Sequence, residues 1–273
     1  MKRPSFLIVS EPRTGSNNLS YCLDAHPDLA VGNELLHPNN GVRPEQYGLD
    51  NAIAHADGYP CYHWIDRVGQ DMRMRVLADL FERHNGFKIH SQHVPVELLA
   101  SIAHDFDCFI ILTRRASLFD QAISNYIATA RNRWHADENP TRTVDVQSFE
   151  ITAAHFEEWL EAMLAVRYAL WRQLRKQADR VIIVDYDSFY AGTQATRVQR
   201  VNELYRKLGL RTLDDCETQT QAAALARLQH YLDSSRQKLT GADLAQSLVG
   251  NYAEITQVYA HWAKRSQDRL ALT

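Results

Sequence analysis

Between Glu11 and Asn18 the chain reads Glu-Pro-Arg-Thr-Gly-Ser-Asn-Asn, a turn that concentrates anion-binding groups. Arg13 carries a fixed positive charge on a planar fork suited to phosphate or sulfate oxygens. Thr14 and Ser16 add hydroxyl donors, and Gly15 and Asn17 are breakers that let the chain turn. Phe6-Leu7-Ile8-Val9, just before the turn, is too short for a helix and reads as a strand buried on both faces. After it, Leu19, Cys22, Leu23 and His26 recur at helical spacing, so a helix starts around Ser16 to Asn18. A strand, a tight turn and a helix N-terminus bring backbone N–H groups without intrahelical partners to one place, where the helix dipole favours negative charge. The chemistry is the holding of a phosphate or sulfate group, although the same pattern also suits an ordinary strand-to-helix connection. It is not the nucleoside-triphosphatase signature, since there is one glycine and no lysine, nor the three-glycine dinucleotide fingerprint.

The elements that must hold this turn follow a strand–helix alternation. Leu29 to Val31 reads as a second short strand, Gly86 to His90 as a third, Cys108 to Thr113 as a fourth and Val181 to Asp185 as a fifth. Helices are predicted over 71–84, 95–104, the stretch after Arg115, 153–176, 198–208 and 252–264, most with apolar residues at i, i+3/i+4 spacing. Residues 37–69 and 131–149 are irregular, and connections this long are functional or mobile. The aromatics of the first (Tyr47, Tyr59, Tyr62, Trp64) either line a pocket or pin the loop to the core. Residues 211–250 are helix-prone but poorly patterned. The alternation predicts one α/β domain over residues 1–273, with a central parallel sheet of about five strands flanked by helices. In such sheets ligands sit at the C-terminal strand ends. Arg13, Glu34, His90, Arg114, Arg115 and Tyr186 all fall just past predicted strand ends, which supports a single site.

Composition narrows the function classes. With 273 residues and a net charge of −3, the chain is long enough for a full core and nearly balanced in charge. It has no long basic run, which argues against nucleic-acid binding. Four widely spaced cysteines show no C-x-x-C pair, the profile of a reducing compartment without a disulfide or zinc framework. No apolar run is long enough for a signal core or a membrane span. A cytoplasmic, soluble protein is expected, with no metal and with a homo-oligomer left open.

Pro12-Arg13-Thr14-Gly15-Ser16-Asn17 after an N-terminal strand resembles the phosphosulfate loop of sulfotransferases that use 3′-phosphoadenosine 5′-phosphosulfate (PAPS). His26-Pro27-Asp28 and Gly32-Asn33-Glu34-Leu35-Leu36 are similar to the bacterial branch, which includes the nodulation-factor and trehalose sulfotransferases. The resemblance implies a P-loop-like three-layer fold, PAPS as donor and 3′,5′-adenosine bisphosphate (PAP) as product. It places the donor's phosphosulfate end at Arg13, Thr14, Gly15, Ser16 and Asn17. The 3′-phosphate would fall to Arg114 or Arg115 with Ser124, although Arg115 to Ser124 is one residue longer than the family's interval. Asp185-Tyr186-Asp187-Ser188-Phe189 resembles the family's Tyr-Glu-Asp-Leu stretch, whose tyrosine lies near the nucleotide. Arg236-Gln237-Lys238, with Gly241 and Asp243, resembles the C-terminal loop that closes over the 3′-phosphate, and it also suits an exposed basic turn. Trp134-His135 resembles a pair recurring in the bacterial branch.

For the acceptor end the resemblance implies two competing bases. Glu34 stands where trehalose sulfotransferase has its carboxylate. Lys88-Ile89-His90 is similar to the Lys-Thr-His-Leu-Pro segment of cytosolic sulfotransferases, in which the histidine is the base. Histidine has the better unperturbed pKa for this work, whereas Glu34 would need desolvation. His90 is therefore the favoured base, Lys88 its electrostatic helper, and Glu34 the alternative base or an orienting group. The implied reaction is in-line sulfuryl transfer to a hydroxyl, or less readily an amine, of a carbohydrate, lipid or small natural-product acceptor. Two other readings stand beside it: a magnesium/ATP-dependent, kinase-like phosphoryl-transfer enzyme with a degenerate P-loop and Asp185 as metal ligand, and a non-catalytic nucleotide-binding domain.

Overall fold

The computed structural model describes residues 4–37, 41–50, 52, 64–91, 95–130, 148–215, 219–236 and 242–270. Tyr59, Tyr62, Trp134, His135, Lys238 and Gly241 lie outside the described residues, as do most of the two long connections, and Arg236 is described by its backbone only. The chain forms two compact units, Met1–Arg114 with Gln173–Arg236, and Arg115–Arg172 with Gln237–Thr273.

In chain order the elements are β1 (Phe6–Ser10), α1 (Ser16–Asp24), β2 (Val31–Gly32), α2 (Trp64–Arg67), α3 (Gln70–Arg83), β3 (Gly86–His90), α4 (Val96–Asp105) and β4 (Phe109–Arg114). They continue with α5 (Leu118–Ala130), α6 (Ala153–Leu174), β5 (Val181–Asp185), α7 (Tyr186–Phe189), α8 (Gln194–Lys207) and α9 (Gln219–Arg236). The chain closes with α10 (Ala242–Leu248), α11 (Tyr252–Arg265) and α12 (Gln267–Leu270). The first unit holds one five-stranded sheet in the order β2-β3-β1-β4-β5, and every pair is parallel.

Every residue of β1 is fully buried, as a central parallel strand covered on both faces requires. Phe6 and Ile8 pack with Leu19, Leu23, Val201, Tyr205, Leu228 and Leu232, which puts α1, α8 and α9 on one face of the sheet. Phe87 lies on the opposite face and meets Phe81 of α3 at 5.2 Å between ring centroids. Right-handed crossovers account for the division: the chain moves one way across the sheet from β1 to β2 and the other way from β2 to β3 and from β3 to β4. The first-strand turn thus leaves toward one face while the loop after β3 leaves toward the other, which opens a crevice at the carboxyl ends between them. At Gly86 a side chain would drive a Cβ to 2.4 Å from the Phe6 ring and 2.6 Å from the Phe6 carbonyl oxygen, so only glycine lets β3 lie this close to β1.

Several boundaries differ from the sequence-based expectations. Leu29 and Ala30 precede β2, because Asn85 occupies their pairing positions. Its amide oxygen accepts from the Ala30 N–H at 2.8 Å, and its own N–H donates to the Ala30 carbonyl at 2.8 Å. Helix α8 begins at Gln194 because the Thr193 hydroxyl caps it, accepting from the Thr196 N–H at 3.2 Å. Helix α6 stops at Leu174 and tightens into a 3₁₀ stretch, Arg175–Arg180, where Gln177 leaves helical geometry. Trp64 is fully buried and its indole N–H donates to the Leu36 carbonyl at 3.0 Å, so this aromatic pins its loop to the core.

The second unit is helical, with a core of Leu118, Ile123, Phe156, Leu160, Leu248, Ile255 and Trp262. Its buried Arg167 donates to the Arg115 carbonyl at 2.7 Å and to the Gln121 side-chain oxygen at 2.9 Å. Among the described residues no helix is long and apolar enough to cross a membrane.

Candidate active site

Strand register builds the site. Ser10 stands opposite His90 on one side and Thr113 on the other, and Arg114 stands opposite Asp185. Side chains alternate along a strand, so Lys88 and His90 of β3 share the α1 face of the sheet with Phe6, Ile8 and Ser10, and Arg114 belongs to the other face.

The turn after β1 bends twice through left-handed backbone, at Arg13 (φ 63°) and Gly15 (φ 70°). Arginine there costs roughly 1 kcal/mol of strain, the kind of local cost found at functional sites. At Gly15 a Cβ would stand 2.4 Å from the Tyr186 ring, and the Tyr190 hydroxyl donates to the Gly15 carbonyl at 3.4 Å. Tyr186 and Tyr190, both nearly buried, form a floor under the turn with ring centroids 5.1 Å apart. Thr14 is buried; its hydroxyl bonds the Glu11 carbonyl at 2.8 Å and the Thr113 hydroxyl at 2.8 Å. That hydroxyl therefore shapes the turn from within. Gly15 caps α1 without a side-chain hydrogen bond, and the first turn has no acidic residue. The first-turn N–H groups and the positive end of the dipole remain directed at the mouth of the turn.

Beside the turn stands a run of polar groups. Lys88 is almost fully buried and donates both to the Asn17 side-chain oxygen and to Glu34 Oε1. His90 Nε2 lies 3.3 Å from the same Glu34 oxygen, and His90 Nδ1 lies 3.1 Å from Ser10 Oγ. Glu34 follows the two-residue strand β2 with φ 44°, a second left-handed non-glycine residue at the strand ends. Burial by itself raises the Glu34 carboxyl, but hydrogen bonds and charge from His90 and Lys88 outweigh it and hold the group well below the usual carboxylate range. Burial pushes the Lys88 ammonium down, and the Glu34 carboxylate pulls it part of the way back. His37 belongs to the same field. Burial lowers it, Glu34 raises it and His90 lowers it, for a net downward shift. The His37 backbone N–H donates to the Glu34 carbonyl at 2.8 Å.

The sequence-predicted residues thus fall into groups. Asn17, Glu34, Lys88 and His90 come together in one hydrogen-bonded run, and Gly15 meets Tyr186. Arg13, Thr14 and Ser16 lie in the same turn. Arg114 ends β4 in the first unit, whereas Arg115 and the buried Ser124 belong to the second. The Arg115 guanidinium donates to the Asp120 carbonyl at 3.3 Å. Asp185 caps α7, its carboxylate accepting from the Ser188 N–H at 3.1 Å. Ser10, Thr113, Tyr190 and His37 were not anticipated. The strand alternation that marks Lys88 and His90 would have found Ser10, but only once β1 and β3 are known to be neighbours.

A mouse sulfotransferase, SULT7A1, solved with PAP, aligns with all of the chain and 88% of its own, at 14% identity and a TM-score of 0.48. No curated protein matches the chain. The family model described as "Sulfotransferase family" matches residues 4–215, from the first strand past the fifth. That single match takes in the turn, Glu34, Lys88, His90, both arginines, Ser124 and Tyr186, and by it the chain belongs to the sulfotransferase family and is an enzyme of that family.

Proposed function

We propose that this sulfotransferase takes its sulfuryl group from PAPS and passes it in line to a hydroxyl, or less readily an amine, of a carbohydrate, lipid or small natural-product acceptor. The observation that carries the reading is the continuous run from Asn17 through Lys88 and Glu34 to His90. It joins an anion-binding turn to a proton acceptor across neighbouring strand ends.

Arg13, the first-turn amides and Ser16 hold the phosphosulfate. Thr14 supports them by shaping the turn, and Tyr186 floors it. Arg114, Arg115, Ser124, Arg236 and Lys238 are the candidates for the 3′-phosphate, to be tested one by one. His90 takes the acceptor's proton, because the hydrogen bond from its ring and the Lys88 ammonium hold Glu34 ionised and make that carboxylate a weak base. The acceptor oxygen bonds to sulfur, the bond from sulfur to the bridging oxygen breaks, and its electron pair leaves with PAP. Lys88 lies between the turn and Glu34, where its charge offsets the negative charge growing on that bridging oxygen. Four widely spaced cysteines without a C-x-x-C pair support a cytoplasmic setting for the reaction, and we take both units of the chain as one catalytic domain.

Three measurements test this. PAP at a hundred times its Kd should stabilise the chain by about 2.7 kcal/mol, read as a rise in Tm, while ATP with magnesium and NAD should not. Labelled sulfate should pass from PAPS to at least one member of a panel of sugars, glycolipids and phenols. His90→Ala should lower kcat by about 10²–10⁴ with PAP binding kept. If ATP with magnesium alone stabilises the chain, the kinase-like reading replaces this one. Unchanged turnover in His90→Ala, Glu34→Ala and the double variant would remove the proposed chemistry.

A further inference from the structure

We propose that Asn18 is a positioning residue for the donor, one that aims the first turn of α1 by tying it to the carboxyl-terminal part of α9. It deepens the function proposed above, since it rests on the reading that this turn holds the phosphosulfate. Asn18 is the third residue of α1, a place from which a polar side chain ordinarily reaches back to the helix's own amino end. Here the side chain is turned inward and is 3% exposed. Its amide nitrogen donates to the Tyr231 carbonyl of α9 at 2.7 Å, and its amide oxygen accepts from Cys22 Sγ at 3.4 Å. Both halves of the amide are therefore committed inside the helical layer. The oxygen does not compete for the first-turn N–H groups that an anion would take.

The anchor that Asn18 reaches is itself held. Arg197 of α8, fully buried, donates to the Leu232 carbonyl, one residue on from Tyr231, and to Asp233 Oδ1 at 3.2 Å. Gln194, at the start of α8, donates to the other Asp233 oxygen at 2.8 Å. The preceding asparagine works from the sheet side, since Asn17 accepts from Lys88 of β3. With glycine at the cap, no side-chain cap bond fixes where α1 starts. The ties from Asn17 to the sheet and from Asn18 to α9, with Thr14 beneath them, set that direction instead. Hydrogen bonds to charged oxygens weaken steeply as they bend, so a small tilt of α1 costs donor affinity. A further α1–α9 bond lies at the other end of α1, where the exposed Arg227 donates to the Ala25 carbonyl at 3.2 Å. It joins the same two helices away from the turn and provides a control.

The test measures PAP Kd by calorimetry on the full chain, at a temperature where every variant is folded, alongside the backbone amide NMR shifts of Gly15, Ser16 and Asn17. Asn18→Ala, and Asn18→Leu, which keeps the volume but makes no hydrogen bond, should each raise PAP Kd by about 10–100-fold, the worth of one charge-assisted hydrogen bond. Arg227→Ala should leave PAP Kd at the parent value. A residue that only stabilised the chain would lower the urea midpoint with Kd unchanged, because a folded variant binds as its parent does. The proposal is overturned if Asn18→Ala or Asn18→Leu binds PAP like the parent, or if Arg227→Ala weakens binding as much as they do. Inorganic sulfate, titrated against the same three amides, separates this proposal from the function proposed above. If PAP does not bind the parent but sulfate shifts those amides, and does so less readily in Asn18→Ala, the donor assignment fails while the role of Asn18 in aiming the turn stands. If neither anion shifts them in the parent, both fall.

Discussion

Lys88 is the residue on which the site's energetics turn. A buried ammonium is tolerated because Glu34 and Asn17 meet it, and removing one partner of a buried pair costs more than removing both. Glu34→Gln should therefore destabilise the chain by about 3–5 kcal/mol in urea unfolding at neutral pH. In that variant Lys88 loses the carboxylate that raises its pKa, so it deprotonates at lower pH than in the parent. The deficit should then shrink as pH rises toward the ordinary lysine range and the buried ammonium gives up its charge. Replacing the pair together, Glu34→Leu with Lys88→Met, should cost less than Glu34→Gln alone. The acid limb has the opposite sign. The folded-state pKa of Glu34 lies below its unfolded value of about 4.3, so its contribution is full above that value and is lost as pH falls below it.

At the scale of elements, the turn and its floor form one unit with little freedom. Gly15→Ala meets two obstacles at once, a left-handed φ of 70° and a Cβ 2.4 Å from the Tyr186 ring. It should cost about 1–3 kcal/mol and abolish the Tm rise given by PAP. Combining it with Tyr186→Ala should relieve the collision but leave the backbone strain, so stability returns only in part. Thr14 and Thr113 show a paired behaviour. Thr14→Val leaves the buried Thr113 hydroxyl without this partner and should cost about 1–3 kcal/mol, whereas the double valine variant should cost less than the sum of the two single changes. In the second unit Trp262 is almost fully buried and donates to Glu161 Oε1 at 2.7 Å, so Trp262→Ala should cost about 3–5 kcal/mol by urea unfolding.

Across the whole molecule, legibility followed the range of the interactions involved. β1, β4 and β5 were readable because each is built on a short apolar run (β3, Gly-Phe-Lys-Ile-His, alternates apolar with polar residues), and helices α3, α4, α5, α6 and α11 because their apolar spacing is local. Helices α9 and α10 were not, since what holds α9 is a sparse stripe of Ala224, Leu228 and Leu232 against distant partners. The turn was readable as a strand-to-helix connection rich in anion-binding groups, and Glu34 and His90 as strand-end residues expected at one site. The hydrogen-bonded run of Asn17, Lys88, Glu34 and His90 was not, because it depends on the order β2-β3-β1, which no residue spacing encodes. Ser10 and Thr113 were overlooked for the same reason: a hydroxyl at a strand end looks like punctuation until its neighbour across the ladder is known.

The left-handed backbone at Arg13 has an outcome visible in a mutant library. Glycine at position 13 would shed the strain, gaining roughly 1 kcal/mol, while discarding the guanidinium. Screened for heat resistance alone, a library randomised at this codon should enrich glycine and asparagine; screened for retention on immobilised PAP, the same pool should return arginine. Divergence between the two enrichments would measure how much robustness the protein forgoes to keep a cation at the mouth of its first turn.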